Sequence, residues 1–238
     1  MRKKNLSIIG YLLFGASIFL FGYMLFEMIG TFRANNRVYF DMIGIMQVAV
    51  VIAIIALLGT LVIVFCSEKQ ERTKHVRRYF TYMFIVYVIF LIEALIVSRV
   101  TNARIGSMIG ENQISFTNYF IYETNFIPFK TIGFYLMDGG KSVNMRTIID
   151  NLFGNLVLFS PFGFFLPYFF KKMRKVANFL MAAVTLNVII EGAQLMLRVG
   201  SCDIDDIILN MIGCMVVFLI YRTKFVQNIF EKLYIIQE

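Results

Sequence analysis

Apolar residues in this chain come in unbroken blocks, with polar residues gathered between them. The blocks run roughly from Ile8 to Gly30, Met42 to Phe65, Tyr79 to Ser98, Ile148 to Phe170, Val176 to Leu197 and Ile204 to Tyr221. About 18 or more apolar residues in a helix cross a bilayer core of about 30 Å. A helix closes its own backbone hydrogen bonds, as hydrocarbon demands, and the period-2 alternation of a membrane barrel is absent. The pattern predicts an all-α fold: a polytopic membrane helical bundle of about six transmembrane helices. The first block is longer than a secretory signal core of about 7–15 residues and lacks a clean cleavage site, so it is read as a retained helix.

Composition agrees: 59% of residues are hydrophobic and 16% charged, more apolar and less charged than an average globular domain. The formal net charge of +8 matters through its placement. With the N-terminus inside, one set of segments holds Arg2, Lys3 and Lys4, then Lys69, Arg72, Lys74, Arg77 and Arg78. The same side holds Lys171, Lys172, Arg174 and Lys175, then Arg222, Lys224 and Lys232. Short loops dense in base face the cytoplasm, so both termini are expected there, in a multi-pass plasma-membrane protein. Basic charge so arranged faces anionic membrane lipids, the expected partners, and does not point to nucleic acid. Of Cys66, Cys202 and Cys214, only Cys202 falls on the oxidising side, so no intramolecular disulfide is expected. Nothing calls for a cofactor or a metal; the acids of "DIDD" at a helix rim are weak grounds for a cation site.

One connection is long. Residues 102–147 form an outer loop with many aromatics, among them Phe116, Tyr119, Phe126 and Phe129. Interfacial aromatics predict that it lies on the membrane or folds back over the bundle, with a turn at Asp138-Gly139-Gly140. After the last block, Phe225, Ile229, Leu233 and Ile236 recur at helical spacing, which predicts an amphipathic tail on the inner leaflet.

The polar residues inside the blocks share a depth. At 1.5 Å per residue, Glu191 lies about 9 Å below the outer end of its helix, Asn210 a similar distance below the start of the last, and Glu93 about 8 Å below its own outer end. Asn151 and Asn155 form an i, i+4 pair at the outer start of the fourth block, and Glu27 is near the outer end of the first. Asn187, Glu191, Gln194 and Arg198 fall in one helical stripe, as do Asp203, Asp206 and Asn210. An ionised group deep in lipid costs about 2.5–3.5 kcal/mol, so such groups pair, protonate or line a wet cavity. Asn187 alone is read as glue between helices. Asp203 and Asp205 are read either as part of the site or as a solvated, capping helix start. Pro161, in mid-block, predicts a kink that frees the Val157 carbonyl.

Three stretches, "NFIPFKTI" (Asn125 to Ile132), "NLFGNLVLFSPFGFFLP" (Asn151 to Pro167), and "EGAQ" followed by "DIDDIILNMIG" (Asp203 to Gly213), together resemble the VanZ-like family. The chain then divides, within a single transmembrane domain over 1–238, into variable helices over 1–100, the aromatic outer loop over 101–147, a VanZ-like core over about 125–221 and the tail over 223–238. The resemblance implies a membrane protein related to low-level resistance to teicoplanin and similar lipoglycopeptides. It carries Asn125, Asn151, Asn155, Glu191, Gln194, Asp203, Asp206 and Asn210 as site positions, with Pro128, Pro161, Gly163, Pro167 and Gly213 as structural ones. Arg198 joins the ligand-binding set from its place in the stripe.

Two classes of function stand. One is a binding protein whose polar site faces the outer leaflet and takes a lipoglycopeptide or a polyprenyl-linked envelope precursor, alone or with envelope enzymes as partners. The other is an enzyme on a lipid-linked envelope substrate, since paired carboxylates do acid–base work. The one histidine, His75, lies in the basic inner loop, far from the cluster, and no Ser–His–Asp set or phosphate loop is visible. A lipid transporter would place its site at the midplane, whereas these residues lie toward one face.

Overall fold

The computed structural model describes residues 2–34, 42–97, 99–100, 115–138 and 143–235. Residues 101–114 of the outer loop, the Gly139-Gly140 turn and Ile236 lie outside these. Among the described residues, six helices are long and apolar enough to cross a membrane: Lys3–Gly30, Gln47–Cys66, Lys69–Val97, Thr147–Phe169, Val176–Leu197 and Ile204–Tyr221. The chain is a multi-pass, all-α membrane protein. It forms two compact units, one of Met1–Thr101 with Ile229–Glu238, the other of Asn102–Asn228.

The first unit is built from α1 (Arg2–Ala34), α2 (Met42–Cys66) and α3 (Lys69–Ile92). Helices in lipid gain little from apolar burial and associate through close packing of small residues. Here Gly10 and Gly59 face each other: a Cβ on either would stand 2.8–2.9 Å from the other helix's backbone. Phe21, Met24, Ile52 and Val86 fill the core, and the Tyr82 hydroxyl donates to the Ser17 carbonyl at 2.8 Å. The basic segment expected as an inner loop is helical from Lys69. Glu, Gln, Arg and Lys are good helix formers, and Glu71 and Lys74 pair at i, i+3. His75 therefore sits on α3, with its ring 6.4 Å from that of Tyr11. A π-helical turn, Glu93–Val97, ends the span and buries Glu93.

In the second unit the long connection is not structureless. It carries α4 (Phe116–Tyr122), β1 (Thr124–Asn125), α5 (Lys130–Gly133) and a π-helical turn, Phe134–Asp138. The fourth span is two helices, α6 (Met145–Leu158) and α7 (Phe162–Phe169). Pro161 has no N–H to donate, and the chain turns over Phe159–Pro161. The Val157 carbonyl is taken up by the Ser160 N–H and hydroxyl. A 3-10 turn, Lys171–Arg174, leads into α8 (Val176–Leu197); then follow β2 (Cys202–Asp203), α9 (Ile204–Tyr221) and α10 (Lys224–Lys232).

α9 packs on α6 and α7 through two glycines. A Cβ on Gly213 would lie 1.8 Å from the Leu156 carbonyl oxygen, and one on Gly163 would lie 2.3 Å from that of Cys214. The close crossing lets the Cys214 thiol donate to the Phe159 carbonyl at 3.0 Å. Pro167 lies inside α7, and its carbonyl accepts from Arg174 Nε and the Tyr221 hydroxyl. Phe179 of α8 stacks on Phe218 of α9 with centroids 4.1 Å apart.

Candidate functional site

The site grows from the start of α9. β1 and β2 pair in parallel, with Asn125 opposite Asp203. That pairing ties the outer connection to the segment that opens α9. Asp203 is the N-cap, its Oδ1 accepting from the Asp205 N–H at 2.9 Å. The same oxygen accepts from Asn125 Nδ2 at 2.9 Å, and Oδ2 accepts from the Thr131 hydroxyl at 2.5 Å. Of the two readings open for Asp203 and Asp205, capping holds for Asp203 but solvation for neither: both are buried, Asp205 at 0% exposure.

Asp205 reaches the other way, into the 125–133 turn. Its carboxylate accepts the backbone N–H groups of Phe129 at 2.5 Å, Thr131 at 2.8 Å and Ile132 at 3.1 Å. These are donors that a helix start leaves without partners, and a carboxylate there also meets the positive end of the helix dipole. The turn before α5 needs this support. Asn125 Oδ1 accepts from the Ile127 N–H, Pro128 cannot continue the strand, and Phe129 adopts φ 64°, a region that bulky residues avoid. Tyr119 clasps the connection from the other end, its hydroxyl donating to the Gly200 carbonyl and accepting from the Gly200 N–H.

Asp206, one residue on, turns by about 100° and meets α6, where Asn155 Nδ2 donates to its Oδ1. One turn deeper, Asn210 Nδ2 donates to Asn187 Oδ1 at 2.7 Å, and Asn187 Nδ2 donates to the Ala183 carbonyl. Asn210 is 3% exposed, and its Oδ1 has no hydrogen-bond partner among the described residues. Glu191 and Gln194 of α8 are buried on the same helix as Asn187. Burial pushes the Cys202 thiol up, and the negative charges of Glu191, Asp203 and Asp206 push it further. Burial also raises Tyr135, with Asp206 and Asp203 adding to the shift. These carboxylates therefore act on common ground. From Asp203 to Asn210 the polar groups descend about 10 Å along the helix axis, so they form a column and not a layer at one depth.

Two expected residues stand apart. α6 begins at Met145, earlier than its apolar block, so Asn151 falls on an exposed turn and donates to the Thr147 carbonyl. Arg198 leaves the stripe: α8 ends at Leu197, Arg198 takes φ 54°, and its guanidinium lies 5.6 Å from the Phe116 ring centre. Glu27 and Glu93 belong to the first unit. Sequence reasoning missed Thr131 and underweighted Asp205. Their signal was the adjacency of three acids, which face three directions when the first is a cap.

Residues 84–227 match the model of the family described as VanZ/LLP1. Over 102 residues the chain is 31% identical to "Protein VanZ" of Enterococcus faecium, covering 43% of this chain and 54% of that one. The chain thus spans about half the length of the curated relative it matches. No solved structure matches the chain.

Proposed function

The chain belongs to the VanZ/LLP1 family, and from that premise we propose that the polar column of its second unit binds an acylated or lipid-linked envelope ligand arriving from the outer leaflet. The observation that carries this is Asn210 Oδ1, buried and without a hydrogen-bond partner among the described residues, about one turn deeper along α9 than Asp206. A buried acceptor without a donor costs about 1–3 kcal/mol, and a hydroxyl or amide of a ligand removes that cost.

The carboxylates divide by role. Asp203 and Asp205 are saturated by the backbone and by side chains of the connection, so they position the Asn125 turn. Glu191 and Asp206, with Asn155, Gln194 and Asn210, are the groups presented to the ligand. The charge asymmetry supports the outward orientation. A polar ligand head enters the column while its acyl or prenyl tail stays in hydrocarbon, which suits a lipoglycopeptide or a polyprenyl-linked precursor.

In cells made resistant to a teicoplanin-type lipoglycopeptide by this protein, Glu191→Gln and Asp206→Asn should each abolish the resistance at unchanged membrane levels. Full resistance in both variants would defeat the proposal.

A further inference from the structure

The first unit carries a feature separate from the polar column. A groove of about 710 Å³ runs between α1 and α3. Its α3 wall repeats at helical spacing from Gln70 to Ile85, so a single helix face supplies it. The chemistry changes along that face. Lys74, Arg77 and Arg78 line the end nearer the start of α3. Tyr82 and Ile85, with Phe14 and Ile18 from α1, line the other. Lys74 and Tyr82 are separated by about 12 Å of helix rise.

The cations are available. Arg77 and Arg78 are exposed and make no ion pair among the described residues. Lys74 has Glu71 at 3.2 Å, on the surface, where such a pair holds weakly. A fork of guanidinium donors suits phosphate oxygens, and basic pockets between membrane helices on the cytoplasmic side take anionic head groups. A free phosphate would satisfy the arginines and leave the apolar end without a partner. A phospholipid fills both, its phosphate on Arg77 and Arg78 and an acyl chain along Phe14, Ile18 and Ile85.

We infer that this groove binds one anionic phospholipid of the leaflet at which α3 begins, the cytoplasmic leaflet by the charge distribution. The full chain, purified in detergent, is titrated with phosphatidylglycerol, phosphatidylcholine or inorganic phosphate and followed by native mass spectrometry. One phosphatidylglycerol should be retained in preference to phosphatidylcholine, and millimolar phosphate should not displace it. The double variant Arg77→Gln/Arg78→Gln should weaken retention by about tenfold or more. Lys171→Gln/Lys172→Gln, equally basic positions outside the groove, should leave it unchanged. Equal retention of phosphatidylcholine, equal loss in both double variants, or displacement by phosphate alone would overturn the inference. Thermal unfolding of the unsubstituted protein supplies a check independent of the variants. Phosphatidylglycerol should raise the melting temperature, while the deacylated head group, glycerophosphoglycerol, should not; an equal rise with both would also overturn it.

Discussion

Asp205 and Asp206 are consecutive, yet they hold different parts of the molecule. Asp205 accepts three backbone N–H groups of the Phe129–Ile132 turn, and Asp206 meets Asn155. Hydrogen bonds to a charged group contribute about 1.5–3 kcal/mol each, and orphaned buried donors add to the loss. Asp205→Ala should therefore lower stability by at least about 3 kcal/mol and loosen the backbone around the exposed Lys130 enough for trypsin to cut there faster, read by thermal unfolding and limited digestion; an unchanged digestion pattern would count against the clasp. Cys202 reports on the neighbouring carboxylates. Burial and then Glu191, Asp203 and Asp206 raise its pKa, so less thiolate is present at a given pH, and maleimide should react slowly. Glu191→Gln removes one negative charge, which should lower the pKa and speed labelling at pH 8. The inward placement of Asp206, Asn155 and Asn210, which meet one another or Asn187, was legible from depth and helical face, because both follow from rise and period. The role of Asp205 was not: it depends on a turn whose extended and left-handed residues carry no periodic signal.

At the scale of elements, the crossing of α9 over α6 and α7 depends on two missing side chains. A Cβ on Gly213 would meet the Leu156 carbonyl oxygen at 1.8 Å, an approach only backbone displacement relieves. Overpacking of a tight interface costs about 1–3 kcal/mol, and more where backbone must move. Gly213→Ala should lose the monodisperse peak in size-exclusion chromatography, and Gly163→Ala should behave similarly. Gly192→Ala, with nothing within 4 Å, should instead stabilise α8 by up to about 1 kcal/mol. Equal effects at all three positions would contradict the packing. The six blocks were readable because length and apolarity decide a span. The break at Pro161 was readable as a kink, but α4, α5 and the β1–β2 pair were not. Those short elements are held by Tyr119, Asn125 and Asp205, contacts between residues 76 to 81 apart in the chain, which no local window contains.

For the whole molecule, six helices among the described residues are long and apolar enough to cross a bilayer, and the basic segments between them set the expected orientation. By the positive-inside rule the start of α9 is expected outside and the Lys171–Arg174 turn inside. A cysteine introduced at Ser201 should label with an impermeant reagent in intact cells, and one at Lys172 only after permeabilisation; the reverse would invert the topology and move the polar column to the cytoplasmic leaflet. The most direct measurement of ligand binding uses the cysteine already present at the column. In membranes carrying Cys66→Ser protein, with Cys214 buried, the labelling rate of Cys202 by an impermeant maleimide is followed with and without an acylated glycopeptide or a polyprenyl-linked glycan precursor. Binding at the column predicts several-fold slower labelling with ligand and no protection in the Asp206→Asn variant. Unchanged labelling with either ligand, or equal protection in that variant, would contradict it.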